Sequence, residues 1–481
     1  MKNFIDIKKM AFLKKDKKFV LVVEAIYKNG GVAYLVGGCV RDLILKLPIK
    51  DLDIEVHGMD LSRLEKVLGK FGFVKLVGKQ FGVLRLDGLD VDWSIPRKDS
   101  KGRKPEVKLD PKMGLKEASR RRDLTINGMA IDLNFLLPIR LRPKGGCAQG
   151  DRDSLVEILD PWGGIKDLKS KKLRAVDEKL FIEDPLRFFR VMQFIGRFEM
   201  EPDKKLNSIC KKVSLKGIAS ERIFEELCKL FLKSKRPSLG IRWLQKIKRL
   251  KEVMPEVFDL IGVKQPMKYH PEKDVFEHSM QALDFAANYS DYESDQEKLI
   301  IMFAALCHDF GKPKTTDKDF HAFRHEVVGS KIAKKFIKRF TSNILLQKTV
   351  GKMVLYHMLP GCFVDQKAGL NAYKRLALKL YPQANLRQLA ILGMADCAGR
   401  SRRVGFFLKR RDPKFARFIA KAKQAFVENM PEKPILLGRH LLDKVSPGKG
   451  MGVILKRAYK IQIEEGIKDL EELKNRVLKN R

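Results

Sequence analysis

A chain of 481 residues is long enough for about three domains of ~150 residues, and 44 % hydrophobic residues can fill ordinary cores. Its 98 lysines and arginines outnumber 59 acidic residues, leaving a formal charge of +39; such a surface suits a polyanion, nucleic acid first and an anionic membrane face second. No run reaches the ~20 apolar residues that span a bilayer, the N-terminal lysines interrupt any signal-peptide core, and seven scattered cysteines without a CxxC pair suit a reducing cytoplasm.

In chain order, residues 1–17 read as a basic arm. FVLVVEAIYKNGG predicts a short helix closed by Gly30 and Gly31, and VAYLVGG an apolar strand entering a glycine turn. LDIEVHG, GVLRLDG and LDVDWSI continue as short strands separated by turn signals, so the region 18–170 is α/β. From about residue 171 the spacing becomes helical, in FIEDPLRFFRVMQFIGRF, SERIFEELCKLFLKS and SLGIRWLQKIKRL. LIIMFAALCHDFGKP predicts an apolar helix stopped by Gly311 and Pro313, and Pro431 and Pro434 precede a helical tail.

The first chemistry lies in GGCVRDLILKLPIKDLDIEV. Gly37 and Gly38 let the backbone approach a ligand closely, and a helix beginning near Val40 offers its amides to a triphosphate. Asp51 and Asp53 are two apart, so on a strand they share a face. Two carboxylates beside a glycine turn make a site for Mg²⁺, which takes hard oxygen ligands and leaves room for phosphate oxygens. A third carboxylate is expected on a neighbouring strand, from Asp90 or Asp92, with Asp92 preferred because it lies nearer the following basic loop.

GGCVRD with KDLDIEV, then RRRDLTINGMAID, DPWGGIKDL and EDPLRFFRVMQF, resemble in order the bacterial and eukaryotic (class II) family of tRNA nucleotidyltransferases and poly(A) polymerases. The resemblance implies a polymerase-β-like α/β nucleotidyltransferase head over 18–170 and a helical neck over 171–250. It also implies a nucleotide site that includes Gly37, Gly38, Arg41, Arg121, Arg122, Asp123, Asn127 and Arg190. A guanidinium fork suits the triphosphate, Asp123 would accept from a ribose hydroxyl, and Asn127 would brace the site. Asp184 and Arg187, three apart on a helix and so on one face, would read the base of CTP or ATP without a template, with Glu183 as a brace. Ser220 would cap the next helix, with Glu225 or Glu226 steadying the base-reading helix. Gly163 and Gly164 would form a hinge. Gly128 stands where the family usually has alanine, which adds backbone freedom. The basic loop RKDSKGRKPEVKLDPKMG is expected to help switch from C to A addition, and the basic insert around 135–157, longer than the family's usual connection, to touch RNA.

Five of the eight histidines fall between His270 and His325, and a sixth is His357. His278, the dipeptide His308–Asp309 and Asp396 follow the H…HD…D order of the HD phosphohydrolase superfamily, which this segment resembles. Imidazoles and carboxylates on converging helices would hold a divalent transition metal with positions left for water and phosphate. His325 and His357 stand where two-metal sites have further ligands, whereas His270 and His321 read as surface histidines. HPEKDVFEHSM resembles the HD region of multifunctional bacterial CCA enzymes, which implies an HD domain over 251–410 and an RNA-binding tail over 411–481, with GKGMG as a turn before a helix. The expected activity is addition of CCA to tRNA from CTP and ATP, with Mg²⁺ at the head, no membrane partner, and a phosphohydrolase or 2′,3′-cyclic phosphodiesterase activity behind it. A poly(A) polymerase and partial C- or A-adding enzymes share these motifs; an inactive RNA-binding protein is the reading from another class.

Overall fold

The alternating apolar residues of the first 160 positions build one mixed sheet in the computed structural model, which describes residues 3–49, 51–77, 82–99, 107–138, 141, 155–272, 274–400 and 413–479. Its strands are β1 (Asn3–Asp6), β2 (Val32–Val36), β3 (Leu52–His57), β4 (Val74–Val77), β5 (Val83–Leu86) and β6 (Val91–Ser94). A hairpin of β7 (Arg97–Asp99) and β8 (Val107–Leu109) stands apart, and β9 (Ala130–Asp132) and β10 (Leu155–Leu159) complete the set. The eight-stranded order is β1-β10-β9-β2-β3-β6-β5-β4. Only β3 and β6 pair in parallel within it, with Asp53 opposite Asp92. Ile54 and Val56 are fully buried on β3, and Phe19, from the helix Lys17–Lys28, meets Trp93 of β6 at 5.8 Å.

The expected helix and strands between residues 17 and 94 are present. Residues 3–15, however, are folded into the head and do not stand apart as an arm. β1 pairs with β10, and Ile5, Met10 and Leu13 are buried; these apolar residues lie between the lysines that made the segment read as an arm. The far end of the expected insert is likewise β10, placed between β1 and β9. The central part of that insert (139–140 and 142–154) and of the basic loop (100–106) lies outside the described residues.

The chain divides into two units, Met1–Ile218 and Ala219–Arg481, so the expected neck contributes helices to both. The second unit is helical around Asp295–Cys307, whose residues Ile300–Cys307 are all buried, and it includes Val275–Asn288, His325–Lys338, Ile344–Tyr356 and Leu386–Ala398. A helix apolar all round belongs at the centre of such an array. It ends at Cys307, earlier than Gly311, and Pro313 opens a further short helix, Lys312–Thr315. In the tail the helix Lys449–Glu465 begins directly after Gly448, so GKGMG is mostly helix. Ser220 is the first residue of its helix and makes no side-chain cap; Ala219 holds the cap position.

Gly311 is fixed by space: a Cβ there would lie 1.9 Å from the carbonyl oxygen of His325 and 2.8 Å from the amide nitrogen of Gly329. Both neighbours are backbone and cannot rotate away. Gly311→Ala is expected to destabilise the second unit by about 3 kcal/mol, read as a lower denaturation midpoint of that unit; an unchanged midpoint would contradict this packing.

Candidate functional site

In the first unit the turn after β2 places Gly37 at φ +76°, and the helix Gly38–Ile44 starts at Gly38 itself, two residues before the expected Val40. A Cβ on Gly37 would lie 3.1 Å from an Nη of Arg122 and 3.5 Å from Oδ2 of Asp53. The glycine therefore lets the turn pass close to both the guanidinium and the carboxylate. Asp53 is on β3 and Asp51 lies just before the strand. The parallel register sets Asp92 beside Asp53, whereas Asp90 is exposed ahead of β6. Burial raises the Asp53 carboxyl above its usual range; Arg122 opposes this, and the negative charges of Asp92 and Asp51 add to it. Among described groups Asp92 also accepts from Arg85 Nε. A half-buried carboxylate pressed by two others is the environment a divalent cation relieves, so the donor set fits Mg²⁺.

The arginine motif is braced from two sides. Asp123 is buried, with Oδ1 accepting from Asn127 Nδ2 and the Leu124 amide at 2.8 Å and Oδ2 accepting from Arg190 Nε at 2.6 Å. Burial would raise this carboxyl, but Arg190 and Asn127 hold it down at about 2. Asp123 is thus engaged with the protein, where a ribose contact was expected. Asn127 Oδ1 in turn accepts from Arg41 at 2.5 Å, and the Arg41 guanidinium lies 4.8 Å from the Phe198 ring. Gly128, expected to add freedom, has an ordinary φ of −91°; a Cβ there would sit 3.0 Å from Trp162, so space decides the residue. Gly164 of the expected hinge is likewise close-packed, with a Cβ position 2.3 Å from the Thr125 carbonyl oxygen.

Asp184 and Arg187 do not share a helix face. The helix Glu178–Glu183 ends before Asp184, whose φ and ψ of −115° and 97° are extended, and Arg187 lies in the first turn of Leu186–Phe198. Asp184 Oδ1 accepts from the Leu186 amide at 3.1 Å, in the manner of a cap. Pro185 explains the break, since the residue before a proline avoids helical backbone. Arg187 donates to the carbonyls of Leu180 at 2.8 Å and Arg121 at 2.6 Å. In the second unit Glu226 is buried and pairs with Lys229 at 2.7 Å, while Glu225 is exposed.

There, too, six residues from five helices or their ends converge. His278, His308 and Asp396 form one potential ligand group, and Asp309, His325 and His357 another, all buried. The Nε2 atoms of His278 and His308 are 3.2 Å apart, and those of His325 and His357 3.4 Å apart. Asp309 lies between the groups, with Oδ2 3.3 Å from His308 and Oδ1 3.5 Å from His325. The outer ring nitrogens are all committed. Nδ1 of His308, His325 and His357 donates to the carbonyls of Ala305, Ala322 and Val354, and Nδ1 of His278 faces Glu272 Oε1 at 2.8 Å. Each imidazole thereby turns its Nε2 inward, towards the other ring nitrogens and the carboxylates of Asp309 and Asp396. Despite burial, hydrogen bonds to Asp396 and Glu272 hold His278 up at about 9, while burial with His308 and His325 nearby pushes His357 down to about 3. Converging lone pairs and carboxylates fit divalent cations.

Three residues of this cluster were not foreseen. Glu272 orients His278, and its second contact is His270 Nδ1 at 2.8 Å, so His270 is an inward residue and not a surface one. Lys312 reaches Asp309 Oδ2 at 2.7 Å and Arg400 reaches Asp396 at 3.3 Å. Lys312 follows Asp309 by one helical turn, a spacing that could have drawn attention to it; Glu272 precedes its helix and had no periodic signal. His321 is exposed, as expected.

Known proteins match this arrangement. A model for the poly(A) polymerase head domain matches residues 33–174, one for a probable RNA- and SrmB-binding site of polymerase A residues 197–261, and one for the HD domain residues 275–366. The multifunctional CCA protein of Pasteurella multocida is 30 % identical over 382 residues, 76 % of this chain and 84 % of that protein. That of Nitrosospira multiformis is 31 % identical over 361 residues, 71 % and 79 % of the two chains. The Thermotoga maritima CCA-adding enzyme, solved in complex with tRNA, aligns over the whole of both chains with a TM-score of 0.57 at 20 % identity, a likeness of fold. The head sheet, the HD ligand order and this coverage place the chain in the family of multifunctional CCA proteins.

Proposed function

We propose that this protein adds CCA to the 3′ end of tRNA, taking CTP and ATP as substrates. The observation that carries the reading is the in-register pair Asp53–Asp92 beside Gly37 and Arg122. In the reaction the RNA 3′-oxygen attacks the α-phosphorus of the nucleotide, the bond to the β-phosphate oxygen breaks, pyrophosphate leaves and the hydroxyl proton is lost. Asp51, Asp53 and Asp92 would hold Mg²⁺, which supplies activation of the hydroxyl and neutralisation of the leaving charge. Arg121 and Arg122 would bind the triphosphate, the helix start at Gly38 adds amide donors, and Asp184 with Arg187 would present a donor and acceptor edge to the base. In that role Arg187 has to exchange its carbonyl partners for the base. Asp123, Asn127, Arg190 and Arg41 would fix the arginine motif. The surplus of basic residues supports tRNA as the polyanion, and the absence of paired thiols among the described cysteines suits a cytoplasmic tRNA pool.

The second unit supports a phosphohydrolase, including hydrolysis of 2′,3′-cyclic phosphate ends. His278, His308, Asp309 and Asp396, with His325 and His357, would hold divalent transition metals that supply hydroxide and polarise a phosphoryl oxygen. Lys312, beside Asp309, adds positive charge where phosphate would sit.

Incubating tRNA that lacks its 3′ CCA with CTP alone, ATP alone and both should give CC, no extension and CCA respectively, read by sequencing the products. An oligo(A) tail from ATP alone would replace the reading with poly(A) polymerase. Metal analysis by plasma mass spectrometry should find up to two divalent transition ions per chain, falling by one in His325→Ala/His357→Ala. A content unmoved by that double replacement would remove the second ligand group.

A further inference from the structure

Asp53, Glu55 and His57 alternate along one face of β3, but only the first has a place in the reaction above. Glu55 is 2 % exposed, as buried as the apolar residues around it. A carboxylate at such depth is costly unless each oxygen is satisfied, and here each is. Oε1 faces His57 Nε2 at 3.0 Å, and Oε2 accepts from Arg121 Nη2 at 3.2 Å. The other ring nitrogen of His57, Nδ1, lies 2.9 Å from the carbonyl oxygen of Met113. A carbonyl can only accept, so Nδ1 donates to it, and Nε2 is the ring atom left facing Glu55. The His57 ring is held edge-on by Tyr34, 5.0 Å away, and Tyr34 is the β2 partner of Glu55.

These contacts join two parts of the head that the sequence separates by more than fifty residues. One is the strand bearing Asp53; the other runs from Met113 through the helix Leu115–Arg120 to Arg121 and Arg122. The amide of Gly58 donating to the Pro111 carbonyl at 2.8 Å adds a backbone tie at the same level. Beyond Arg121 the linkage continues, because its carbonyl accepts from Arg187 Nη2 at 2.6 Å.

We infer that Glu55 and His57 are positioning residues for nucleotide addition, holding the Arg121 guanidinium in a fixed register to the metal-binding strand so that it meets the triphosphate without first being ordered. Arginine carries large rotamer freedom, and a fork already fixed loses less of it on binding. The inference rests on Arg121 acting on the triphosphate.

Its consequence is a KM effect. Glu55→Gln keeps the shape but removes the charge that grips Arg121, so KM for CTP and ATP should rise by about tenfold with kcat lowered much less, the pattern of lost ground-state ordering. Arg121→Ala should raise KM further, and Glu55→Gln/Arg121→Ala should be no worse than Arg121→Ala alone, because the two act as one unit. His57→Gln, which retains a donor towards Glu55, should keep most of the affinity that His57→Leu loses; this pair decides the matter if Glu55→Gln does not fold. Arg121→Ala raising KM while Glu55→Gln and His57→Leu leave it unchanged would overturn the positioning role and spare the reading of Arg121. Unchanged KM in Arg121→Ala would overturn both, and fully additive effects in the double variant would show that Glu55 acts elsewhere.

Discussion

Both side-chain clusters depend on close approaches at glycines, where an added Cβ would crowd a neighbouring backbone or side chain. At Gly37 an added Cβ would lie 3.1 Å from Arg122 and 3.5 Å from Asp53. At Gly311 the turn after His308–Asp309 lies against the first turn of His325–Lys338, which brings His325 to the dipeptide. At Gly399 a Cβ would sit 2.8 Å from the ring of His278, so the helix end carrying Asp396 closes on that ring only because the residue is glycine. Side chains supply the ligands, but these approaches set their separations. Packing at such distances does not deform gradually, and so the geometry is either held or lost.

The two clusters then present cations with different problems. In the head, anionic oxygens crowd a strand pair, and Asp53 already shows the strain as a raised carboxyl range. Hard, multiply charged Mg²⁺ answers like charges and still leaves sites for phosphate. In the second unit the crowding is of imidazole nitrogens, each aimed inward by an outward hydrogen bond to a carbonyl or to Glu272. Such outer partners fix ring orientation and ligand basicity, and borderline transition metals suit the nitrogens. The two donor sets therefore differ in chemistry as well as in place.

Most of the residues that cluster in the two units were legible in the sequence because their signals are local. A DxD spacing, a glycine pair and an HD dipeptide at the end of an apolar helix survive without knowledge of the fold. The strands of the head's centre were legible for the same reason, as short apolar alternations between turns. What escaped depended on pairing between distant segments. β1 was hidden among lysines and is a strand through its partner β10. Glu55 reads as an ordinary strand residue until Arg121 arrives from 66 residues away. The Asp184–Arg187 pair was misjudged locally, since Pro185 interrupts the helix that its spacing suggested. Gly128 and Gly164 were read for freedom, where the structure uses them for contact.

On this reading two independent metal centres in one chain run two chemistries. It is tested most directly by assaying Asp53→Asn and His308→Ala/Asp309→Ala side by side for nucleotide addition to tRNA and for hydrolysis of a 2′,3′-cyclic phosphate, with a thermal melt of each. The first variant should lose addition and keep hydrolysis, and the second should do the reverse. Both activities vanishing together in variants that remain folded would contradict it.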